Sequence, residues 1–176
     1  MIVLTILCSL VVIYAASQAR FIWRRRKLVR RNWTDLIGEI QPVNTLAIAE
    51  IAECYLQPSS TQLRLEPDTM WRMIGGSAGL RALGKNAQAM LDLAVYAAQW
   101  DRVEGRIVGE MMRRDGIRLE RAIRKIEIAM VSQVAEKFAA FELQEALASY
   151  HLMRGRLLGL YEASQTGLHE QLAARI

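Results

Sequence analysis

The feature that most constrains this chain is its first nineteen residues, which contain no formally charged side chain. Residues 2–19 read IVLTILCSLVVIYAASQA, and their polar members are Thr5, Ser9, Ser17 and Gln18. An α-helix of that length spans about 27 Å, which is close to the roughly 30 Å of a bilayer's hydrocarbon core. The pattern predicts that residues 1–19 form a single transmembrane anchor helix.

A basic segment, RFIWRRRKLVRR at residues 20–31, follows the apolar one directly. Lys and Arg flanking a membrane span stay on the cytoplasmic side. This predicts an inner-membrane protein with its N-terminus outside and residues 32–176 in the cytoplasm. Side chains of the segment should contact anionic headgroups. These predicted membrane-surface residues are Arg20, Trp23, Arg24, Arg25, Arg26, Lys27, Arg30 and Arg31.

Two other interpretations of residues 1–31 compete with the anchor. A cleaved signal peptide would carry its basic residues before the apolar run, whereas here they come after it. A buried core helix rarely combines such uniform apolarity with such a basic flank. A specific lipid or nucleic-acid site in the basic segment is a further alternative to a purely topological role.

The rest of the chain, residues 32–176, has the composition of one mildly acidic domain with a hydrophobic core. Seven of the 23 basic residues lie in residues 20–31, which leaves 16 basic against 18 acidic side chains. Cys54 is the single cysteine of this part, so no internal disulfide is expected. His151 and His169 lack partners at metal-ligand spacing. We therefore predict no catalytic residue, cofactor or metal.

Proline placement indicates an all-α fold for this domain. Pro42, Pro58 and Pro67 are the three prolines, and a long proline-free stretch rich in Ala, Leu, Met, Glu and Arg follows them. We expect a cytoplasmic multi-helix bundle over residues 32–176. The predicted helices cover residues 33–40, 44–56, 68–74, 80–100, 101–113, 116–138, 141–164 and 168–175, with a linker at 57–67 and a turn at Asp115-Gly116.

Two glycine patterns carry competing interpretations. Gly75/Gly79, Gly105/Gly109 and Gly155/Gly159 each have the spacing that allows close helix crossing, within the bundle or in self-association. The stretch from Gly79 to Asn86, GLRALGKN, approaches the phosphate-binding loop G-x-x-x-x-G-K-[ST]. The residues between its two glycines favour a helix, and Asn86 stands where the motif requires the hydroxyl of Ser or Thr. The favoured interpretation is therefore the start of a helix that contains glycines.

A second basic cluster occurs in residues 113–125, RRDGIRLERAIRK. Arg114, Arg118, Arg121 and Lys125 are spaced to share one helical face. This face is predicted to be a solvated surface above a core stripe, or alternatively a contact with a partner or an anionic surface. Nucleic acid is the less favoured ligand, because no aromatic residues suited to base stacking are interleaved with these arginines.

Taken together, these patterns favour a membrane-anchored helical interaction or scaffold protein. Its expected partners are a bilayer with anionic headgroups and either another protein or a second copy of itself. The alternative is an enzyme or ligand-binding protein with a pocket inside the bundle, acting on a membrane-associated or small acidic substrate. A deep polar pocket would favour that alternative, and a solid apolar core would oppose it.

Overall fold

The computed structural model describes residues 32–57, 65–100, 103–132, 136–164 and 166–176. This part of the chain contains helices and no strand, so the predicted all-α bundle is confirmed. The helices are α1 (Trp33–Gly38), α2 (Thr45–Leu56), α3 (Pro67–Met73), α4 (Gly76–Ala97), α5 (Glu104–Ser132), α6 (Glu136–Ala163) and α7 (His169–Ala173).

Local sequence signals set several of these boundaries. The Asn44 side chain caps α2 by accepting a hydrogen bond from the amide of Ala47 at 3.1 Å. Pro67 is the first residue of α3, where its missing amide hydrogen costs nothing. Gly75 precedes α4 in the left-handed conformation, with φ of 83°, so the glycine cluster starts this helix instead of kinking one.

Three long helices form the framework, with α5 antiparallel to both α4 and α6. Asp115 of α5 pairs with Arg156 of α6, and Lys125 pairs with Glu142 at 2.7 Å, so the two helices run in opposite directions. Against α4, Gly116 lies near Leu91. Helix α2 packs on α6, and α3 contacts α6, α2 and α4.

Asn86 places a polar side chain within the apolar core, and both its amide oxygen and its amide nitrogen form hydrogen bonds. Asn86 belongs to α4, is fully buried and accepts from the amide of Gln41 at 2.7 Å. It also donates to the Gln41 carbonyl at 2.8 Å and to the Tyr150 hydroxyl at 3.2 Å. This one amide group therefore joins the α1–α2 loop to α4 and α6.

The turn predicted at Asp115-Gly116 is wrong, because both residues lie in the middle of α5. Asp115 is buried and uses its carboxylate for the ion pair with Arg156. Gly116 lies where α5 approaches its neighbours, and an added Cβ would be 3.3 Å from Leu91. Tertiary contacts thus override the turn preference of an Asp-Gly pair.

The glycine pairs have different roles in the described bundle. A methyl group at Gly79 would overlap the carbonyl oxygen of Ile74, and one at Gly105 would lie 2.8 Å from the Cα of Ala98. Close approach thus explains these two glycines. Gly109, Gly155 and Gly159 have open space where a methyl group would lie, so packing within the bundle does not explain them.

An aromatic cluster closes the end of the bundle at which the described chain begins. The ring of Trp33 lies 5.1 Å from that of Tyr161 and 6.1 Å from that of Tyr96. Trp100 contacts both tyrosines, with ring centroids 5.3 and 6.0 Å away. Because Gly105 contacts Ala98 at this same end, α5 begins beside the point where the chain enters the bundle.

Among the described helices, none combines the length and the apolarity needed to cross a membrane. The predicted anchor at residues 1–19 and the predicted polybasic segment at residues 20–31 lie outside the described residues.

Candidate functional site

The best candidate for a functional surface is the side of α5 that faces away from α4 and α6. We call it the outer face of α5. It consists of exposed residues that recur at helical spacing, namely Arg106, Ile107, Arg114, Ile117, Arg118, Arg121, Arg124, Lys125 and Ile128. The opposite side of the helix supplies Met112, Leu119, Ala122 and Ile126 to the core. Amphipathic periodicity therefore orients the outer face toward solvent.

The four basic residues predicted to share a face do so. Arg114 pairs with Glu110 at 3.3 Å, and Lys125 pairs with Glu142 of α6 at 2.7 Å. Arg118 and Arg121 are exposed and have no ion pair or hydrogen bond with any described residue. The middle of the face therefore presents two guanidinium groups whose charge is not neutralised within the bundle.

Glu110 places a carboxylate beside the basic groups near the start of α5. Arg113 and Arg114 both bond to it, at 2.8 and 3.3 Å. The hydrogen bond from Arg113 is the main cause that lowers the pKa of Glu110 to about 2. The carboxylate is consequently ionised at any physiological pH and neutralises part of the charge in this region.

Apolar side chains are interspersed among these charges. Ile107 is 58% exposed, Ile117 is 42% exposed and Ile128 is 62% exposed. They lie roughly three helical turns apart, so they project from the same side of α5. Near the start of the helix, Ile107 and Met111 also line a shallow groove together with Val103, Arg106, Glu110 and Arg114.

The rest of the described bundle offers no comparable set of groups for chemistry. Asn86 and Asp115 use their polar atoms within the core. Burial raises the pKa of both Tyr150 and Tyr161, and the Tyr161 hydroxyl donates to the carbonyl of Leu93 at 3.0 Å. No group of three potential metal ligands occurs among the described side chains.

The stretch that resembles a phosphate-binding loop forms two turns of α4. Lys85 is exposed to solvent, whereas the neighbouring Asn86 is buried against Gln41 and Tyr150. A phosphate loop needs backbone N–H groups that point together at the ligand. Inside a helix these groups are bonded to carbonyls, so the helical interpretation of this stretch is confirmed.

The sequence-predicted membrane-surface residues of segment 20–31 lie outside the described part of the chain. Sequence reasoning also missed Arg106, Ile107, Ile117 and Ile128 as members of this face. The signal was present in their spacing. The predicted turn at Asp115-Gly116 divided α5 in two and concealed it.

No protein-family model, curated protein or solved structure matches this chain.

Proposed function

We propose that this protein is a membrane-anchored interaction module. Residues 1–19 cross the inner membrane, residues 20–31 contact its anionic headgroups, and the bundle is held at the cytoplasmic side. There, the bundle binds an acidic surface through the outer face of α5. No catalytic step is part of this proposal.

The observation that carries the proposal is the unneutralised charge at the centre of the outer face. Arg118 and Arg121 are exposed without a described partner, while nearby Arg124 pairs with Glu120 at 3.3 Å. Basic groups of this kind attract acidic ligands and accelerate their binding. The exposed isoleucines beside them would add an apolar contribution to such a contact.

Native extraction into polymer-bounded lipid discs tests the proposal, because it retains both lipids and proteins around the full-length chain. We would compare the wild type with Arg118→Glu/Arg121→Glu after nuclease treatment. The matched control is Arg81→Glu/Lys85→Glu, which changes the charge equally on exposed positions of α4.

Mass spectrometry of proteins and lipids then identifies what each variant retains. If the ligand is an acidic protein, the wild type and the α4 control should recover it and the α5 variant should lose most of it. Because the anchor keeps lipid in every disc, identical recovery from all three proteins would exclude a protein ligand. The binding role would then be refuted if labels on the outer face of α5 stayed exposed to water in anionic discs.

A further inference from the structure

We infer that the acidic surface bound by the outer face of α5 is the anionic bilayer itself, so that α5 lies along the membrane. This inference rests on the proposed function, because it names what that face binds. It adds a second membrane contact, distant in sequence from residues 1–31, and fixes the orientation of the bundle.

The chemistry of the face fits a lipid surface better than a protein helix. A partner helix needs apolar anchors at i, i+3 or i+4 and i+7. Val103, Ile107 and Met111 have that spacing, but only over the first turns of α5. Farther along, Ile117 follows Arg113 and Arg114, and Ile128 follows Arg124 and Lys125, so basic side chains occupy the positions that apolar anchors would need. A bilayer does not require apolar residues at a fixed spacing, because each isoleucine can enter the headgroup region alone while neighbouring arginines bond to lipid phosphates.

Charge also disfavours a second copy of this chain at the same surface. A two-fold symmetric contact through the outer face would bring Arg118 and Arg121 against the same residues of the other copy. Like charges at an interface cost several kcal/mol. Anionic headgroups instead supply the complementary charge along the whole length of the helix.

The position of α5 within the bundle places the start of its outer face close to the proposed membrane anchor. The described chain enters at the end marked by Trp33, and α5 begins at that same end. A tether at this end keeps the outer face at a high effective concentration near the bilayer. Weak individual contacts are sufficient for docking under that condition.

The length of α5 allows two orientations of the bundle on the membrane to be distinguished. Ile128 lies about 32 Å along the helix from Ile107. If the bundle stood on its aromatic end, Ile107 could reach lipid but Ile128 could not. If α5 lies along the membrane, both side chains and Ile117 between them reach the headgroup region together.

The experiment measures the depth of an environment-sensitive fluorophore in the full-length protein. Single cysteines replace Ile107, Ile117 or Ile128 in a Cys8→Ser/Cys54→Ala background, and each is labelled with nitrobenzoxadiazole. The control site is Leu46 on α2, which is 82% exposed and lies on a helix that packs against α6. Far-UV circular dichroism verifies that each variant keeps its helix content.

The purified proteins are placed in nanodiscs of phosphatidylcholine alone or with phosphatidylglycerol, with and without brominated acyl chains. We expect blue-shifted emission and bromine quenching at all three α5 sites in anionic discs only, with Leu46 unaffected. Arg118→Glu/Arg121→Glu should shift the docked-to-undocked ratio at least about thirty-fold, because each arginine lost is worth about 1 kcal/mol and each glutamate adds repulsion from the anionic headgroups. Arg81→Glu/Lys85→Glu should leave that ratio unchanged.

The other outcomes each overturn the inference in a distinguishable way. Quenching at Ile107 alone means that the bundle stands on end. A blue shift without bromine quenching means that another protein surface, such as a second copy, covers the face. If the labels stay exposed to water in anionic discs, α5 does not lie on the membrane. If the α5 variant also loses a protein in native discs, the proposed function is retained, with that protein as the ligand.

Discussion

Replacing Asn86 should destabilise the bundle by removing three buried hydrogen bonds at once. Its amide bonds to Gln41 and Tyr150, at 2.7, 2.8 and 3.2 Å, and the side chain is fully buried. Each such bond contributes about 1 kcal/mol net. Asn86→Ala should therefore lower the free energy of unfolding by about 3 kcal/mol, with a small further loss from the cavity.

Two comparison variants separate the hydrogen bonds from general effects of mutation. Tyr150→Phe removes one of the three bonds and should cost about 1 kcal/mol. Lys85→Ala alters the exposed neighbour of Asn86 and should change stability by less than about 0.5 kcal/mol. Urea unfolding of the full-length protein in mild detergent, followed by intrinsic fluorescence, measures all three.

Hydrogen exchange gives a local test of the same hydrogen bonds. In Asn86→Ala, the amide of Gln41 loses its 2.7 Å acceptor and should exchange faster than in Tyr150→Phe, which leaves that bond intact. If Asn86→Ala cost no more than Tyr150→Phe and left the Gln41 amide protected, Asn86 would not be the link between the α1–α2 loop and α4.

Three further predictions test the remaining structural arguments. Asp115→Ala should lower the free energy of unfolding by about 3 kcal/mol, since it leaves Arg156 partly buried and unpaired. Joint replacement of both by apolar residues should be nearly neutral in urea unfolding. Gly155→Ala should raise the thermal midpoint because its surroundings are open, and Gly79→Ala should lower it because of the overlap described above. The Glu110 carboxyl should titrate near pH 2 by NMR. The stability from its arginine pairs is then complete above about pH 4.5 and is lost as the pH falls toward 2. A titration midpoint near pH 4.5 would contradict the pairing of Glu110 with these arginines.

Local signals in the sequence predicted much of the fold. Asn44 and Pro67 mark the starts of α2 and α3 because capping and proline geometry depend on neighbouring residues alone. The helical spacing of Leu119, Ala122, Ile123, Ile126 and Met130 predicted an apolar stripe on α5, and Leu119, Ala122 and Ile126 are buried, whereas Ile123 is half-buried and Met130 is 50% exposed. These predictions succeeded because the information that determines each feature lies within a few residues of it.

Features that depend on distant residues could not be predicted in this way. Asn86 bonds to Gln41 and Tyr150, which are 45 and 64 positions away, and no local pattern identifies them. Trp100 is 44% exposed at the end of the bundle. Its contacts with Tyr96 and Tyr161 depend on how α4 and α6 meet there.

The continuity of α5 connects the buried core with the candidate binding surface. Asp115 binds Arg156 and Gly116 allows α5 to approach Leu91 and Met153, so the helix continues through a pair of residues that usually reverses the chain. A break there would place the isoleucines and arginines on two unrelated surfaces. Because α5 is unbroken, the groups that precede and follow Asp115 share one side of a helix about 42 Å long. A surface of that length can lie along a bilayer, and the continuity of α5 is therefore a structural requirement of the proposed membrane contact.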